Sequence, residues 1–316
     1  MKAIAVAHPN IALSKYWGKR EGTGNVPAVP SLSMTLEGLS TTTEVTFDAA
    51  IQADTLSIGG AAAPAGRATE LLDRVRAAAG IAARARVVST NDFPTASGLA
   101  SSASGFAALA LAAVRAAGLD WSVERIAELA RRSSASAARS LYGGFVELDG
   151  ETARPVAPRD HVDVRVLVCV TTEAAKDVSS REGMAETARR SPYYAAWLDT
   201  APRIHVALRA ALLARDVRRV GELAEESALA MHASAMAAGI VYVSGATLEA
   251  LKTVHALRRA GLLAYATMDA GPHLKCFVDA RDSARARVEL GRTPGVLRII
   301  EASLGDGARI VEGSVA

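Results

Sequence analysis

FPTASGLASSASGF, residues 93–106, contains almost no side chain large enough to build a core, and how this run is read decides the fold. It stands between a β-branched stretch at residues 86–89 and an apolar segment, residues 104–117, whose large groups recur at three- and four-residue spacing. A strand, a small-residue loop and a helix in that order bring peptide N–H groups and hydroxyls to a helix N-terminus, where unpaired donors and the helix dipole favour an anion. Gly98 and Gly105 remove side chains that would block close approach, and Ser101, Ser102 and Ser104 add hydroxyls. No Lys-Ser/Thr pair follows the glycine, so this is not a Walker loop, and it is not a GxGxxG fingerprint. On composition alone, a tightly packed loop without a ligand explains the run equally well.

Outward from this loop, short β-branched stretches at residues 4–6 and 43–47 read as strands, and residues 68–79 and 123–132 as helices. Gly118 ends the helix that follows the loop, and Ser122 is placed to cap the next. YGGFVELD (142–149) reads as a turn entering a strand, and residues 163–171 as a buried strand. The chain then reads as helical over residues 181–237, with breaks expected at Pro192 and Pro202. Strands at 263–268 and 274–279 flank DAGPH. The pattern is α+β, with a change of domain expected near residues 155–163.

A 316-residue chain that is 50% hydrophobic and 22% charged has ample material for one large or two joined domains. Its net charge of +3 comes from arginines scattered along helices, and aromatics are only 4%, so the basic and stacking pattern of a nucleic-acid binder is missing. Cys169 and Cys276 sit in apolar strand-like runs with no metal-ligand spacing, as expected of reduced buried thiols. MKAIAVAHPN is interrupted by His8 and Pro9 before an apolar leader core forms, and the apolar run after residue 106 is too short for a bilayer span. A cytoplasmic protein without membrane partners is expected.

Three further clusters carry chemistry. In HPNIALSKYWGKR (8–20), Lys15 and Lys19 flank Tyr16 and Trp17, and both belong to the handful of lysines in an arginine-dominated chain, which suggests that an ammonium group is wanted there. In SSASAARSLYGGF (133–145), Arg139 follows Ser136 by three residues with no acid nearby in sequence. A ligand carboxylate or phosphate would satisfy it, as would a distant Asp or Glu. In MDAGPHLKC (268–276), Asp269 leaves a strand end into small and rigid residues, so its carboxylate could orient or deprotonate a hydroxyl, or cap a turn.

Together and in this order, NIALSKYWGKR, PTASGLASSASGFAAL, SASAARSLYGGF and MDAGP resemble the signatures of the diphosphomevalonate decarboxylases, a branch of the superfamily of galactokinase, homoserine kinase, mevalonate kinase and phosphomevalonate kinase. KDVSSREGM, RRSPYY and EESALAMHA extend the likeness over nearly the whole chain. The resemblance implies a two-domain α+β fold of the small-molecule-kinase superfamily. Residues 1–160 would carry the ATP phosphate loop, and a ferredoxin-like C-terminal domain, residues 161–316, would bring in Asp269. It also implies ATP as co-substrate, Mg²⁺ held mainly through the ATP phosphates, a phosphorylated mevalonate as partner, and a homodimer.

By the same resemblance, Pro94, Ser97, Gly98, Leu99, Ala100, Ser101, Ser102 and Ser104 would cradle the ATP phosphates. Tyr16, Lys19, Arg67, Ser134 and Ser191 would hold the substrate's diphosphate and neighbouring groups, with Ser136 and Arg139 at its carboxylate end. Asp269 would meet the tertiary C3 hydroxyl with Lys15 beside it. The implied reaction phosphorylates that hydroxyl and then expels phosphate and CO₂, leaving isopentenyl diphosphate. His273, Arg190 and Ser227 stand where the family has Asn, Thr and Asn, departures expected near the phosphate end. They open a second reading, a decarboxylase of mevalonate monophosphate, ahead of a mevalonate 3-kinase or a non-catalytic sensor on the same fold.

Overall fold

The computed structural model describes residues 1–20, 24–93, 101–174 and 177–311. Its strands are β1 Lys2–Ala7, β2 Asn10–Ser14, β3 Ser31–Glu37, β4 Thr41–Asp48, β5 Thr55–Ile58, β6 Ala61–Ala63, β7 Arg84–Asn91, β8 Phe145–Asp149, β9 Thr152–Ala157, β10 Val164–Val170, β11 Ala264–Met268, β12 Leu274–Asp279, β13 Arg298–Leu304 and β14 Arg309–Ile310. Its helices are α1 Gly66–Ala79, α2 Ser101–Ala116, α3 Val123–Ser133, α4 Ser180–Arg190, α5 Tyr194–Leu213, α6 Val217–Ala237, α7 Gly245–Arg259 and α8 Ser283–Gly291, with a 3₁₀ turn at Ala135–Leu141.

A six-stranded sheet in the order β14-β1-β4-β7-β5-β6 builds the first layer. β1 and β4 alternate buried and half-buried residues along their length, as strands covered on one face do. The covering element is α2, whose Ala107, Ala108, Ala110, Ala112 and Ala113 are fully buried, so small side chains let the helix lie close on the sheet. The start of α2 is thereby fixed over the end of β7, which aims its first residues at the site.

The second sheet runs β11-β12-β10-β13-β3-β8-β9, with β2 paired to β3. Its C-terminal part, β10, then β11 and β12, then α8 and β13, has antiparallel pairing with β10 between β12 and β13, the ferredoxin-like order. β10 is buried on both faces. Val164, Val166 and Val168 pack toward α5 and α6, and Leu167 and Cys169 toward α7 and α8, so its apolar run is continuous from Val166 to Val170. Antiparallel pairing of β13 to β3 joins the two halves in one sheet, and β14 returns to pair with β1.

Ser122 caps α3, accepting from the Arg125 N–H, and α4 ends at Arg190 before Pro192, both as expected. Pro202 departs from expectation by lying inside α5. A proline within a helix costs about 3 kcal/mol. Here Trp197, Ala201, Ile204, Leu208 and Leu212 bury one continuous face, and that burial outweighs the lost hydrogen bond. The chain breaks instead at Arg215, whose φ of 58° turns it into α6.

Candidate active site

Asp269 follows β11 directly, and the Gly271 N–H donates to its carbonyl, so the turn is closed on itself. Its side chain is 24% exposed, enough to meet a ligand, and two lysines hold it. Lys15 Nζ lies 2.6 Å from Oδ1 and Lys275 Nζ 3.3 Å from Oδ2. Burial alone would push the carboxyl up, but the charges and hydrogen bonds of Lys15 and Lys275 hold it well below the usual carboxylate range. Lys15 is itself 2% exposed, and burial, partly opposed by Asp269, brings its ammonium down to about 8.

Arg139 reaches the same cavity from the 3₁₀ turn. Its Nε donates to Asn10 Oδ1 at 3.2 Å and Nη1 to Ser31 Oγ at 2.7 Å, while Asn10 Nδ2 donates to the Ser136 carbonyl and to Ser140 Oγ. These neutral partners fix the fork without neutralising it. Burial lowers the guanidinium to about 10, so it remains a cation at neutral pH, and among the described residues no carboxylate pairs with it within salt-bridge distance. A buried cation so placed is complete only with an anionic ligand.

A cavity of about 500 Å³ is lined by Asp269, Lys15, Arg139 and Asn10 together with Tyr16, Lys19, Arg67, Ser101, Ser102, Ser134, Ser136 and Arg181. Lys19 donates to Asn25 Oδ1 at 2.6 Å, and burial together with Arg181 and Arg67 lowers its ammonium to about 8. Arg67 donates to the Ser133 carbonyl and lies over the Phe106 ring, 4.4 Å from its centroid. A second cavity, also about 500 Å³, adjoins at Arg67, Ser101 and Ser102 and is walled by Leu56, Ile58, Pro64, Val87, Phe106 and Leu109. An apolar slot joined through two serines and an arginine to a cationic chamber suits a heterocyclic base attached to a chain of phosphates.

The structure therefore gathers Lys15, Tyr16, Lys19, Arg67, Ser101, Ser102, Ser134, Ser136, Arg139 and Asp269 around one space. Ser104 does not join them, because it is fully buried and bonded to Thr41 Oγ1 at 2.6 Å. Ser191 lies apart from the cavity lining, 3.4 Å from Ser234 Oγ. Pro94, Ser97, Gly98, Leu99 and Ala100 fall outside the described residues.

The three departures from the family pattern also lie off the cavity lining. Arg190 is exposed and pairs with Glu186, Ser227 Oγ accepts from the Lys15 N–H at 2.9 Å, and fully buried His273 accepts the Thr171 N–H at 3.3 Å. None of the three therefore lines the cavity, and Ser227 reaches it only through the backbone of Lys15.

Sequence reading missed Lys275, Arg181 and the serines of the α4 N-terminus, Ser179 and Ser180. Lysine scarcity, the signal that singled out Lys15 and Lys19, also marks Lys275, which interrupts the apolar run LKCFVD. Ser179 forms a capping box with Glu182, and its neighbours Ser180 and Arg181 open α4 toward the cavity.

Residues 7–156 match the diphosphomevalonate decarboxylase-like N-terminal domain, and residues 166–291 match the mevalonate 5-diphosphate decarboxylase C-terminal domain. A diphosphomevalonate decarboxylase of Candida albicans is 30% identical over 96% of each chain. The crystal structure of mevalonate diphosphate decarboxylase from Staphylococcus aureus superposes with a TM-score of 0.92 at 35% identity, covering 98% of each chain. A complex described as MDDEF with MVAPP, AMPPCP and magnesium gives a TM-score of 0.91 at 36% identity over 99% of each chain. With both halves matched in order and nearly every residue covered, this chain belongs to the diphosphomevalonate decarboxylase family.

Proposed function

We propose that the protein catalyses the ATP-dependent decarboxylation of mevalonate 5-diphosphate to isopentenyl diphosphate. The observation that carries this is Asp269, a carboxylate kept ionised by Lys15 and Lys275 in a chamber otherwise furnished with Lys19, Arg67, Arg139 and Arg181. Such a chamber accepts a molecule with several negative charges and one hydroxyl needing activation. The names of the relatives and the ligands of the MDDEF complex agree with that reading.

The nucleotide base occupies the apolar cavity, and its phosphates pass Ser101 and Ser102 into the cationic one. Lys19, Arg67 and Arg181 hold the substrate diphosphate, and Arg139, fixed by Asn10 and Ser31, holds the C1 carboxylate. Asp269 accepts the hydrogen bond of the C3 hydroxyl and turns the oxygen toward the γ-phosphorus. A carboxyl held so far down is a weak base, so the proton passes to it late, once the new O–P bond has acidified the hydroxyl.

ADP leaves as that bond forms. The C3–O bond then breaks with its electron pair departing on phosphate, and the C1–C2 pair becomes the C2=C3 double bond as CO₂ is released. Lys15 offsets the charge gathering on the departing phosphate. Among the described residues no group of three His, Cys, Asp or Glu side chains is placed to hold a metal ion. Magnesium would be held through the nucleotide phosphates, with the Ser101 and Ser102 hydroxyls lining the same cavity, and would supply neutralisation of phosphate charge.

The proposal keeps residues 1–160 as the nucleotide-binding domain and 161–316 as the domain of Asp269, supported by the change of family match between residues 156 and 166. A cytoplasmic location and a homodimer complete it; cell fractionation and sedimentation test these two. Activity is tested with purified protein, ATP and Mg²⁺ against mevalonate, its 5-phosphate and its 5-diphosphate, following ADP and CO₂ together. Both products from the diphosphate are expected. ADP alone would mean a kinase, turnover confined to the monophosphate would select that decarboxylase, and neither product from any substrate would overturn the reading.

A further inference from the structure

A buried chain of hydrogen bonds that the proposed reaction does not use crosses from β8 through α5 to β2. The Leu32 N–H donates to Ser14 Oγ at 2.8 Å, and Ser14 Oγ lies in hydrogen-bond contact with His205 Nδ1 at 2.9 Å. The Glu147 carboxylate can only accept, so His205 Nε2 carries a proton and donates to Glu147 Oε1 at 2.9 Å. Glu147 Oε2 accepts from Arg154 Nε at 2.8 Å. Burial would push the Glu147 carboxyl up, but these hydrogen bonds hold it below its ordinary value. Ser14, His205 and Glu147 are each at most 5% exposed.

Serine, histidine and glutamate in series is also the arrangement of an activated nucleophile, but the surroundings exclude that use. Ser14 is 1% exposed, lines neither of the two cavities of the site, and already accepts the Leu32 N–H. Its place in the strand gives the chain another use. The pairing of β2 with β3 slips register between Ala12 and Ser14, so the strand bulges immediately before Lys15. The next N–H, that of Lys15, is held by Ser227 Oγ. The strand is thus tied on both sides of the peptide that presents Lys15, whose Nζ must arrive 2.6 Å from Asp269.

We propose that Ser14, His205 and Glu147 form a positioning relay that holds the bulge of β2 and, through it, the Lys15 ammonium against Asp269. The relay is a device of backbone placement, and His205 and Glu147 touch no substrate. Its kinetic consequence rests on the function proposed above, while its effect on Lys15 does not.

Two variants test it: Ser14→Ala, which removes the link at small change in volume, and His205→Phe, which keeps a ring and removes both nitrogens. The first measurement is the titration of Lys15 by ¹³Cε NMR in the ligand-free protein, where Asp269, Lys275, Arg139 and His232 face it from the other elements. Burial is the largest influence on this ammonium, so slackening the bulge admits water and moves its midpoint from about 8 toward 10.5. An unchanged midpoint in both folded variants would overturn the relay whatever the enzyme turns over.

The second measurement is steady-state kinetics per folded molecule. Each variant should lower kcat by about 10- to 100-fold with KM within about twofold, because geometry and not binding is lost. The double variant should be no worse than the poorer single one, since both cut the same chain. A kcat unchanged in the singles, or losses that multiply in the double, would count against the proposal. Absence of turnover in the parent protein would instead refute the proposed function and leave the NMR result standing.

Discussion

Asp269 and Lys15 hold each other in the charged forms that the chemistry needs, and the pair can be separated by substitution. Asp269→Asn keeps the shape but loses the charge that draws the hydroxyl proton, so kcat should fall by about 10³-fold or more with nucleotide affinity within about threefold. Tight nucleotide binding with preserved turnover would remove Asp269 from the mechanism. The lysines set the pH dependence. Lys15 and Lys19 lose their protons near 8, not near 10.5, so the free cavity sheds positive charge above that pH. In consequence kcat/KM for the phosphorylated acid should decline above about pH 8, by up to about a hundredfold per pH unit when both titrate and about tenfold in Lys19→Arg. A profile flat to pH 9.5 in the parent protein would exclude both lysines. At this scale the sequence was informative because Lys15 and Lys19 are rare ammonium groups and Asp269 sits before a rigid turn. Lys275 escaped because a strand that is apolar on both sides looks like core, and Ser104 misled because hydroxyls in a small-residue run look alike whether they face a ligand or Thr41.

Helix α4 shows how an element carries a site without touching the chemistry. Its capped N-terminus brings Ser179, Ser180 and Arg181 to the cavity, and Gly183 lets it seat against Tyr242 and Trp17. A Cβ at Gly183 would stand 2.1 Å from Tyr242 Oη, the hydroxyl that donates to the Ser179 carbonyl. Gly183→Ala must therefore displace either the helix or the Tyr242 ring that ties its first turn in place. KM for the phosphorylated acid should rise about tenfold while kcat stays within about threefold, with Tm lowered by a few degrees. Gly245→Ala in α7, where a Cβ meets nothing within 4 Å, is the control expected to leave both unchanged. Equal effects from the two substitutions would show that the α4 contact has no special part. Amphipathic helices such as α3 were legible from their periodicity, whereas β3 was passed over even though SLSMTLE alternates polar and apolar residues. That alternation suggests a strand with one wet face, but Ser31, Ser33 and Thr35 are fully buried and spend their hydroxyls on Arg139 and on backbone carbonyls. Pro202 misled in the opposite sense, since a local breaker yields when a whole helix face is buried.

Across the molecule, charge is distributed unevenly. The chain carries only +3 overall, yet the cationic cavity presents Lys15, Lys19, Arg67, Arg139 and Arg181 against the single carboxylate of Asp269 among its described residues. The two sheets place that excess between them: β2, the 3₁₀ turn and α2 come from the first half of the chain, and β11, α4 and α6 from the second. Field lines from such a recess extend about one Debye length, about 10 Å at 0.1 M salt and about 3 Å at 1 M. Capture of a multiply charged substrate should be salt-sensitive, while the step after capture, in a closed and desolvated contact, should not. Raising ionic strength from about 0.05 M to about 0.5 M should lower kcat/KM for the diphosphate by about tenfold and leave kcat within about twofold. The monophosphate, with fewer charges to steer, should lose less under the same change. A kcat/KM for the diphosphate that is indifferent to salt would mean that the cations act only after contact, as hydrogen-bond donors to phosphate already delivered by diffusion.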